Sequence, residues 1–73
     1  SSDLEKICMT GEVGLAGEIR PVNRIDQRIR EAEKLGFEQI IIPAGQKYNR
    51  QGLKISVVEV SRVTDAFRRL LKQ

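Results

Sequence analysis

The sequence predicts a small α/β domain in which a partly parallel sheet packs against two helices. Two short runs, "FEQIIIP" and "KISVVEV", are rich in β-branched residues and are typical of buried strands. Two other segments carry apolar residues three and four positions apart, which indicates amphipathic helices. Because one of these helices lies between two buried strands, a crossover connection and parallel strands are expected.

Length and charge limit the possible functions. A chain of 73 residues leaves much of its surface exposed, so a complete enzyme with its own substrate pocket is not expected. Thirteen Lys and Arg residues against ten Asp and Glu residues give a net charge of +3. Residues 1–19 are net acidic, so the basic excess lies from Arg20 onward. This bias is compatible with nucleic acid but does not require it.

Several kinds of site are excluded by composition. Cys8 is the single cysteine and there is no histidine, which excludes a disulfide framework, a zinc site and Cys-His or Ser-His catalytic pairs within the chain. Cys8 is predicted to be a small buried hydrophobe. No apolar run approaches the roughly 20 residues of a membrane span, and the acidic start does not resemble a signal peptide. We therefore expect a cytoplasmic protein without a membrane partner, and, from the start at Ser1, a piece of a longer chain.

The first third of the chain predicts short strands. In "CMTGEVGLAGEIR" the apolar positions Val13, Leu15 and Ile19 alternate among glycines, which indicates one bent strand or two short strands meeting at a glycine turn. The glycine spacing is not a dinucleotide fingerprint, so a turn is favoured over a phosphate site. Pro21 is expected to end strand pairing. Residues 1–7 are too short and polar to assign.

The first helix has clear start and stop signals. Asn23 is predicted to be its N-cap, Asp26 favours the free amides of the first turn, and Gly36 is predicted to end it. The predicted buried stripe consists of residues four, three and three apart: Ile25, Ile29, Ala32 and Leu35.

The second half predicts a strand, a polar loop, a strand and a helix. "AGQKYNRQGL" is predicted to be the loop, and Ser61 the N-cap of the last helix. The buried face of that helix is predicted to contain Val63, Ala66, Phe67, Leu70 and Leu71. The predicted element order is β(β)αββα.

Basic residues are the best candidates for a binding site. Arg24 and Arg28 are four residues apart on one helix face, and Arg30 and Lys34 form a second such pair. Guanidinium groups bind phosphates or the carboxylates of a neighbouring subunit in the same bidentate way, and a solvated helix face is the third reading. The candidate DNA- or subunit-binding residues are Arg20, Arg24, Arg28, Arg30 and Lys34. A second basic set on the last helix comprises Arg62, Arg68, Arg69 and Lys72.

Three loop residues are weaker candidates. Tyr48 stands beside Lys47 and Arg50 and could stack on a nucleotide, although packing over a strand is favoured.

Glu12 and Glu18 are read as surface charges, because nothing in the sequence brings a metal or an acceptor to them. No catalytic, cofactor-binding or metal-binding residue is assigned.

The string "GEVGLAGEIRPVNRIDQRIREAEKLGFEQIIIP", residues 11–43, resembles the C-terminal Lon-protease-like domain of the RadA (Sms) family of bacterial DNA repair and recombination proteins. The resemblance implies a Lon proteolytic-domain-like, ribosomal protein S5 domain 2-like fold, truncated so that residues 1–73 form its C-terminal portion without a second domain. It further implies a hexameric, DNA-dependent ATPase that drives branch migration on single-stranded or branched DNA, with ATP, Mg and zinc bound in other domains.

The same resemblance provides a check on peptidase activity. Lon-type peptidases use a serine activated by a lysine at the start of this helix, and Pro21-Val22 set on the corresponding stretch places that lysine at Asp26. An aspartate cannot act as the neutral amine base that the dyad needs. The resemblance therefore predicts a non-catalytic scaffold and DNA-binding module. The alternatives are a fragment of a Lon-type Ser-Lys peptidase and a protein-protein assembly module without DNA contact.

Overall fold

The computed structural model describes residues 6–71, so the sequence-based statement about Lys72 lies outside the described residues. Its elements in chain order are β1 (Ile7–Met9), β2 (Glu12–Val13), β3 (Ile19–Arg20), α1 (Ile25–Lys34), β4 (Gln39–Pro43), β5 (Ser56–Val60) and α2 (Val63–Leu71). The separate first strand, β1, was not predicted, because three residues are too few to show a period.

One sheet of three strands forms the centre of the fold. Its order is β1-β4-β5, and both neighbouring pairs are parallel. Ile40 of β4 is in register with Cys8 on one side and Val57 on the other, which makes β4 the central strand. β2 and β3 form a separate antiparallel hairpin. The predicted α/β class, with a small parallel sheet and two helices, is confirmed.

The central strand supplies core side chains to both faces of the sheet. Ile40 and Ile42 pack with Ile29 of α1, and all three are at most 1% exposed. Ile41 points the other way and packs with Ala66 of α2. This alternation follows from the two-residue period of a strand. The two helices therefore cover opposite faces of the sheet, and each face has its own apolar cluster.

The predicted end of α1 is confirmed in detail. Gly36 has φ 94°. Its amide donates to the carbonyl of Glu33 at 3.1 Å, and the amide of Phe37 donates to the carbonyl of Ala32 at 3.1 Å. This pair of bonds is a Schellman motif, in which glycine takes the left-handed conformation without a Cβ penalty. Phe37 folds back and packs against the α1 cluster.

Two predictions about α1 are wrong. The N-cap is Arg24, with φ 58° and no side-chain capping bond, rather than Asn23. The reason is that the turn before the helix passes through the left-handed region at Arg24, so the helix begins one residue later than an Asn23 cap requires. Leu35 is not buried but 76% exposed, because the helix has ended and the residue lies on its flank.

The glycine-rich segment is a hairpin that is fastened to α2. Two short strands meet at a glycine turn, which is the second of the two predicted alternatives, and the amide of Gly14 donates to the carbonyl of Glu18 at 2.8 Å. The carbonyl of Gly17 accepts from the first amide of α2, on Val63, at 2.8 Å. Gly11 has no room for a side chain, because a Cβ there would lie 2.7 Å from Cγ2 of Ile19. Gly11 therefore serves close packing.

α2 differs from its prediction at both its start and its exposed face. Ser61 is not the cap, because the helix begins at Val63 and the carbonyl of Arg62 accepts from the amide of Ala66. Phe67 and Leu71 are 56% and 80% exposed rather than buried. Only one stripe of a helix can touch a flat sheet, and in α2 that stripe is centred on Ala66.

Candidate nucleic-acid interface

Arg24 is held in an unfavourable backbone conformation with its side chain exposed. Its φ of 58° is the only positive φ at a non-glycine residue in the described range 6–71. Its guanidinium makes no hydrogen bond or ion pair with any residue of that range. A left-handed conformation costs a non-glycine residue roughly 1–2 kcal/mol. A cation at the N-terminus of a helix is also disfavoured by the helix dipole. The fold does not explain why an arginine stands here.

Arg28 lies one turn further along α1 on the same flank. Its Nε donates to the carbonyl of Asn23 at 2.9 Å, and one Nη donates to Oγ1 of Thr10 at 3.3 Å. These bonds orient the guanidinium towards the end of β1, while the side chain stays exposed. Arg24 and Arg28 line a shallow depression of about 220 Å³ together with Gln27 and Glu31. The structure therefore brings this predicted pair together.

Arg20 is less available, because an acidic neighbour takes its side chain. Both Nε and Nη2 of Arg20 donate to Oε2 of Glu18, at 3.3 and 3.2 Å. The other carboxylate oxygen of Glu18 accepts from the amide of Ala16. Hydrogen bonds from the backbone, and then from Arg20, lower the pKa of the Glu18 carboxyl. Glu18, read from the sequence as a surface charge, thus organises the hairpin turn.

Arg30 and Lys34 do not join the Arg24 and Arg28 pair. One Nη of Arg30 reaches the carbonyl of Gln51 in the β4–β5 loop at 3.5 Å, on the opposite flank of α1. Lys34 lies in the last turn, where a cation is favoured by the helix dipole. The five predicted basic residues are therefore divided among three places on the surface.

Two of the three loop candidates, Tyr48 and Arg50, contact other parts of the fold. Tyr48 is half-buried and packs against the α1 cluster, as the favoured reading predicts. The guanidinium carbon of Arg50 lies 5.2 Å from the centre of the Tyr48 ring, and an Nη of Arg50 lies 4.0 Å from Oε2 of Glu59. Lys47 is exposed. The ring face is covered, so stacking on a base would require Arg50 to move.

The second basic set is dispersed as well. Arg62 donates to the carbonyl of Ala16 at 3.2 Å, which ties α2 to the hairpin. Arg68 lies 3.9 Å from the carboxylate of Asp65 on the same helix. Arg69 is also exposed and borders the depression beside β5. These residues lie on the face of the sheet opposite to Arg24.

Asp26, which the resemblance sets at the position of the dyad lysine, has a structural partner. Its Oδ1 accepts from the backbone amide of Asn49 at 2.6 Å. Two turns further along the same flank, Oε1 of Glu33 accepts from the amides of Lys54 and Ile55 at 2.9 and 3.3 Å. Two α1 carboxylates therefore hold the β4–β5 loop. The prediction that Asp26 serves the first-turn amides of its own helix missed this contact.

A glutamine holds the start of the same loop. The amide of Val22 donates to Oε1 of Gln46 at 3.2 Å, and Nε2 of Gln46 donates back to the carbonyl of Val22 at 2.8 Å. Sequence reasoning missed Gln46 and Glu33, because both contacts join residues more than twenty positions apart. The only available signal was the 12-residue connection between β4 and β5, which needs such anchors.

Cys8 is half-buried and packs against the α1 cluster, and burial raises the pKa of its thiol. It therefore behaves as a small apolar side chain, although it is less buried than predicted. Within residues 6–71, no group of three or more His, Cys, Asp or Glu side chains could hold a metal ion. Neither α1 nor α2 is long and apolar enough to cross a membrane.

Replacing Arg24 with glycine is expected to stabilise the fold. Glycine takes φ 58° without steric cost, and the relief outweighs its larger loss of backbone entropy, for a gain of about 0.5 kcal/mol. Chemical denaturation would measure this gain in the free energy of unfolding. The control is Arg30→Gly, which should destabilise by about 1 kcal/mol because Arg30 is within α1. A loss of stability in Arg24→Gly would contradict the strained conformation.

The comparisons with known proteins agree with the resemblance seen in the sequence. The sequence profile of the Lon protease (S16) C-terminal proteolytic domain matches residues 2–71. The DNA repair protein RadA of Bacillus subtilis is 50% identical over 62 residues, which cover 84% of this chain and 14% of the relative. The RadA proteins of Listeria monocytogenes and Haemophilus influenzae are 46% and 45% identical, over 88% and 85% of this chain. Each alignment covers 14% of the relative's own length.

Proposed function

The chain belongs to the Lon protease (S16) C-terminal proteolytic domain family and is similar to the DNA repair protein RadA of several bacteria, and we propose that it is a non-catalytic DNA-binding module of a RadA-like repair factor. The chain spans 14% of the length of these relatives. ATP hydrolysis, Mg and zinc binding, branch migration and ring assembly are accordingly proposed for the longer protein and not for this segment.

The observation that carries the proposal is the pair Arg24 and Arg28. The backbone conformation of Arg24 is unfavourable, and so is the interaction of its positive charge with the helix dipole. Its guanidinium has no partner within residues 6–71. A residue kept in strain at an exposed position is a candidate for function, because folding alone would favour another residue type. A phosphate beside the pair would offset both costs, since it binds guanidinium groups and is favoured at the start of a helix.

The surroundings of the pair favour phosphate contact over base recognition. Gln27 and Glu31 complete the depression, which is open and has no exposed aromatic ring. Phosphate contacts position a protein on nucleic acid without selecting a sequence. We therefore propose binding that depends strongly on salt and little on sequence, on single-stranded as well as branched DNA.

The non-catalytic part of the proposal rests on Asp26. Its side chain is a carboxylate, and its Oδ1 accepts a hydrogen bond from the amide of Asn49. A carboxylate cannot serve as the amine base of a Ser-Lys dyad. Hydrolysis of a fluorogenic peptide by the longer protein, lost on mutation of Asp26, would contradict this part.

Neutralising the pair is expected to weaken DNA binding and its salt dependence together. In the variant Arg24→Gln/Arg28→Gln, the slope of log K against log salt should fall by roughly 1.4 for single-stranded DNA, because two phosphate contacts are lost. Fluorescence anisotropy with a labelled oligonucleotide at several salt concentrations would measure this slope.

The control for this titration is Lys54→Glu, which changes the net charge by the same two units at an exposed position near β5. It should leave the slope within error of the original protein. If both variants lowered the slope equally, the effect would come from the change in net charge and not from the two arginines. Binding that neither variant alters would place the DNA contact elsewhere and would favour the assembly alternative for the two arginines.

A further inference from the structure

The β4–β5 loop, residues 44–55, is a second basic segment of the surface. It contains Lys47, Arg50 and Lys54 and no acidic residue. All three basic side chains are exposed. The loop lies on the flank of α1 that carries Asp26 and Glu33, and both of these carboxylates accept hydrogen bonds from its backbone amides. A loop with three exposed cations is suited to an anionic partner.

The same loop borders an open depression of about 220 Å³ on the α1 face of the sheet. Its lining side chains all come from one continuous stretch of chain and are Tyr48, Arg50, Leu53, Ile55 and Val57. Ile55 is 7% exposed, and the other three apolar or aromatic side chains are half-buried against the α1 cluster. Apolar side chains, an aromatic ring and a guanidinium in one depression match the two parts of a nucleotide, which are its base and its phosphate.

Bonds from α1 hold the depression in place. Oδ1 of Asp26 accepts from the amide of Asn49 at 2.6 Å, and Oε1 of Glu33 accepts from the amide of Ile55 at 3.3 Å. Within the loop, Oδ1 of Asn49 accepts from the amide of Gln51 at 2.9 Å. A site whose backbone is fixed in advance loses little conformational entropy when a ligand binds.

Arg50 occupies the place in which a base would stack. Its guanidinium carbon lies 5.2 Å from the centre of the Tyr48 ring, and its ion pair with Glu59 is 4.0 Å long. Its side chain is 77% exposed, and both kinds of contact are weak at exposed positions. The carboxylate of Glu59 also accepts from the amide of Gly45 at 3.1 Å, so it keeps a partner when Arg50 leaves. Arg50 can therefore turn away from the ring at little cost.

We propose that this depression binds one unpaired base of a single-stranded nucleic acid, which stacks on Tyr48 in place of Arg50 while the Arg50 guanidinium turns to an adjacent phosphate. The ligand class rests on the proposed function, but the contact is separate from the phosphate contacts of Arg24 and Arg28. The faces of a base inside a duplex are covered by its neighbours, so only an unpaired base reaches the ring. The site therefore adds a preference for single strands without a preference for sequence, because every base has a π-face.

One strand can contact both sites. The pair Arg24 and Arg28 and the loop lie on opposite flanks of α1, and the helix with its side chains is about 10–12 Å across. A turn of 100° per residue puts Arg30 between Asp26, on the loop flank, and Arg24. The guanidinium of Arg30 is exposed there, so it offers a further phosphate contact to a strand that crosses the helix.

Two oligomers that differ only in their bases test the proposal on the 73-residue chain. They are an oligothymidylate and an abasic oligomer of the same length, compared at one low salt concentration. Fluorescence anisotropy should show that the chain binds the oligothymidylate roughly fivefold or more tightly, because the abasic oligomer lacks the stacked base. Tyr48→Leu keeps an apolar side chain over the α1 cluster and should bind the two oligomers equally. The matched control is Tyr48→Phe, which keeps the ring and should retain the preference.

The fluorescence of Tyr48 reports on the ring itself. Tyr48 is the single tyrosine, and the chain has no tryptophan. The oligothymidylate should quench this emission and the abasic oligomer should not, because only a stacked base contacts the ring. Quenching of the same size by polyglutamate would assign the depression to an acidic peptide and would overturn the proposal. This measurement uses the original chain, so it decides the question if Tyr48→Leu does not fold.

The outcomes separate this site from the proposed function. Equal affinity of the original chain for the two oligomers would overturn the base site, as would a preference that Tyr48→Leu retains. If Arg24→Gln/Arg28→Gln still weakens binding in that case, the proposed function stands without the base site. Absence of binding to either oligomer at low salt would overturn both.

Discussion

Truncation of Ile29 to alanine is expected to lower the free energy of unfolding by about 3 kcal/mol. Ile29 of α1 is 0% exposed and packs against Ile40 and Ile42 of β4. The replacement removes three carbon atoms and leaves a cavity that a close-packed cluster cannot fill. A domain of this size has a total stability of about 5 kcal/mol, so the variant should be close to unfolding at physiological temperature.

The control for this experiment is Leu35→Ala. Periodicity puts Leu35 on the same stripe as Ile29, but its side chain is 76% exposed, so its loss should change stability by less than about 0.5 kcal/mol. Urea denaturation of both variants would compare them directly. Equal costs would mean that the end of α1 packs against the sheet and that the exposed position of Leu35 is wrong.

Replacement of Glu33 by alanine is expected to cost about 2 kcal/mol and to loosen the β4–β5 loop. One oxygen of this carboxylate accepts from the amides of Lys54 and Ile55, at the point where the chain enters β5. Ile55 is only 7% exposed, so its amide would lose its acceptor in a place with little access to water. Hydrogen exchange at these two amides should become faster than at those of β4.

Two variants separate the hydrogen bond from other effects. Glu33→Gln keeps an oxygen acceptor at the same place and should recover much of the stability. Glu31→Ala removes a neighbouring carboxylate whose contact is a long bond from Gln27 at 3.5 Å, and it should be nearly neutral. If Glu33→Ala behaves like Glu31→Ala, the loop is held by Asp26 and Gln46 without Glu33.

The charged residues of α1 are divided between two flanks of the helix, and only the contacts with the loop show which flank does what. Asp26 and Glu33 lie on one flank of α1 and bind backbone amides of the loop, whereas Arg24 and Arg28 lie on the other flank. The i, i+4 spacing predicts the Arg24 and Arg28 pair correctly. The same rule applied to Arg30 and Lys34 does not predict that Arg30 turns to Gln51. Spacing along a helix specifies which residues are neighbours but not what the helix packs against.

The sequence by itself determined the α/β class, the two helices, the buried β4 strand and the Gly36 stop. These features depend on local periodicity and on the conformational freedom of glycine, which act over a few residues. The resemblance of residues 11–43 also predicted the family, which the comparisons confirm.

Only the tertiary structure decided the remaining features: the short β1 strand, the left-handed conformation of Arg24, the anchoring of the loop by α1, and the exposure of Leu35, Phe67 and Leu71. Each of them depends on contacts between residues distant in the chain, or on which part of an apolar stripe meets the sheet. A helix periodicity gives the direction of its apolar face, but the width of that face that becomes buried is set by the edge of the sheet beneath it.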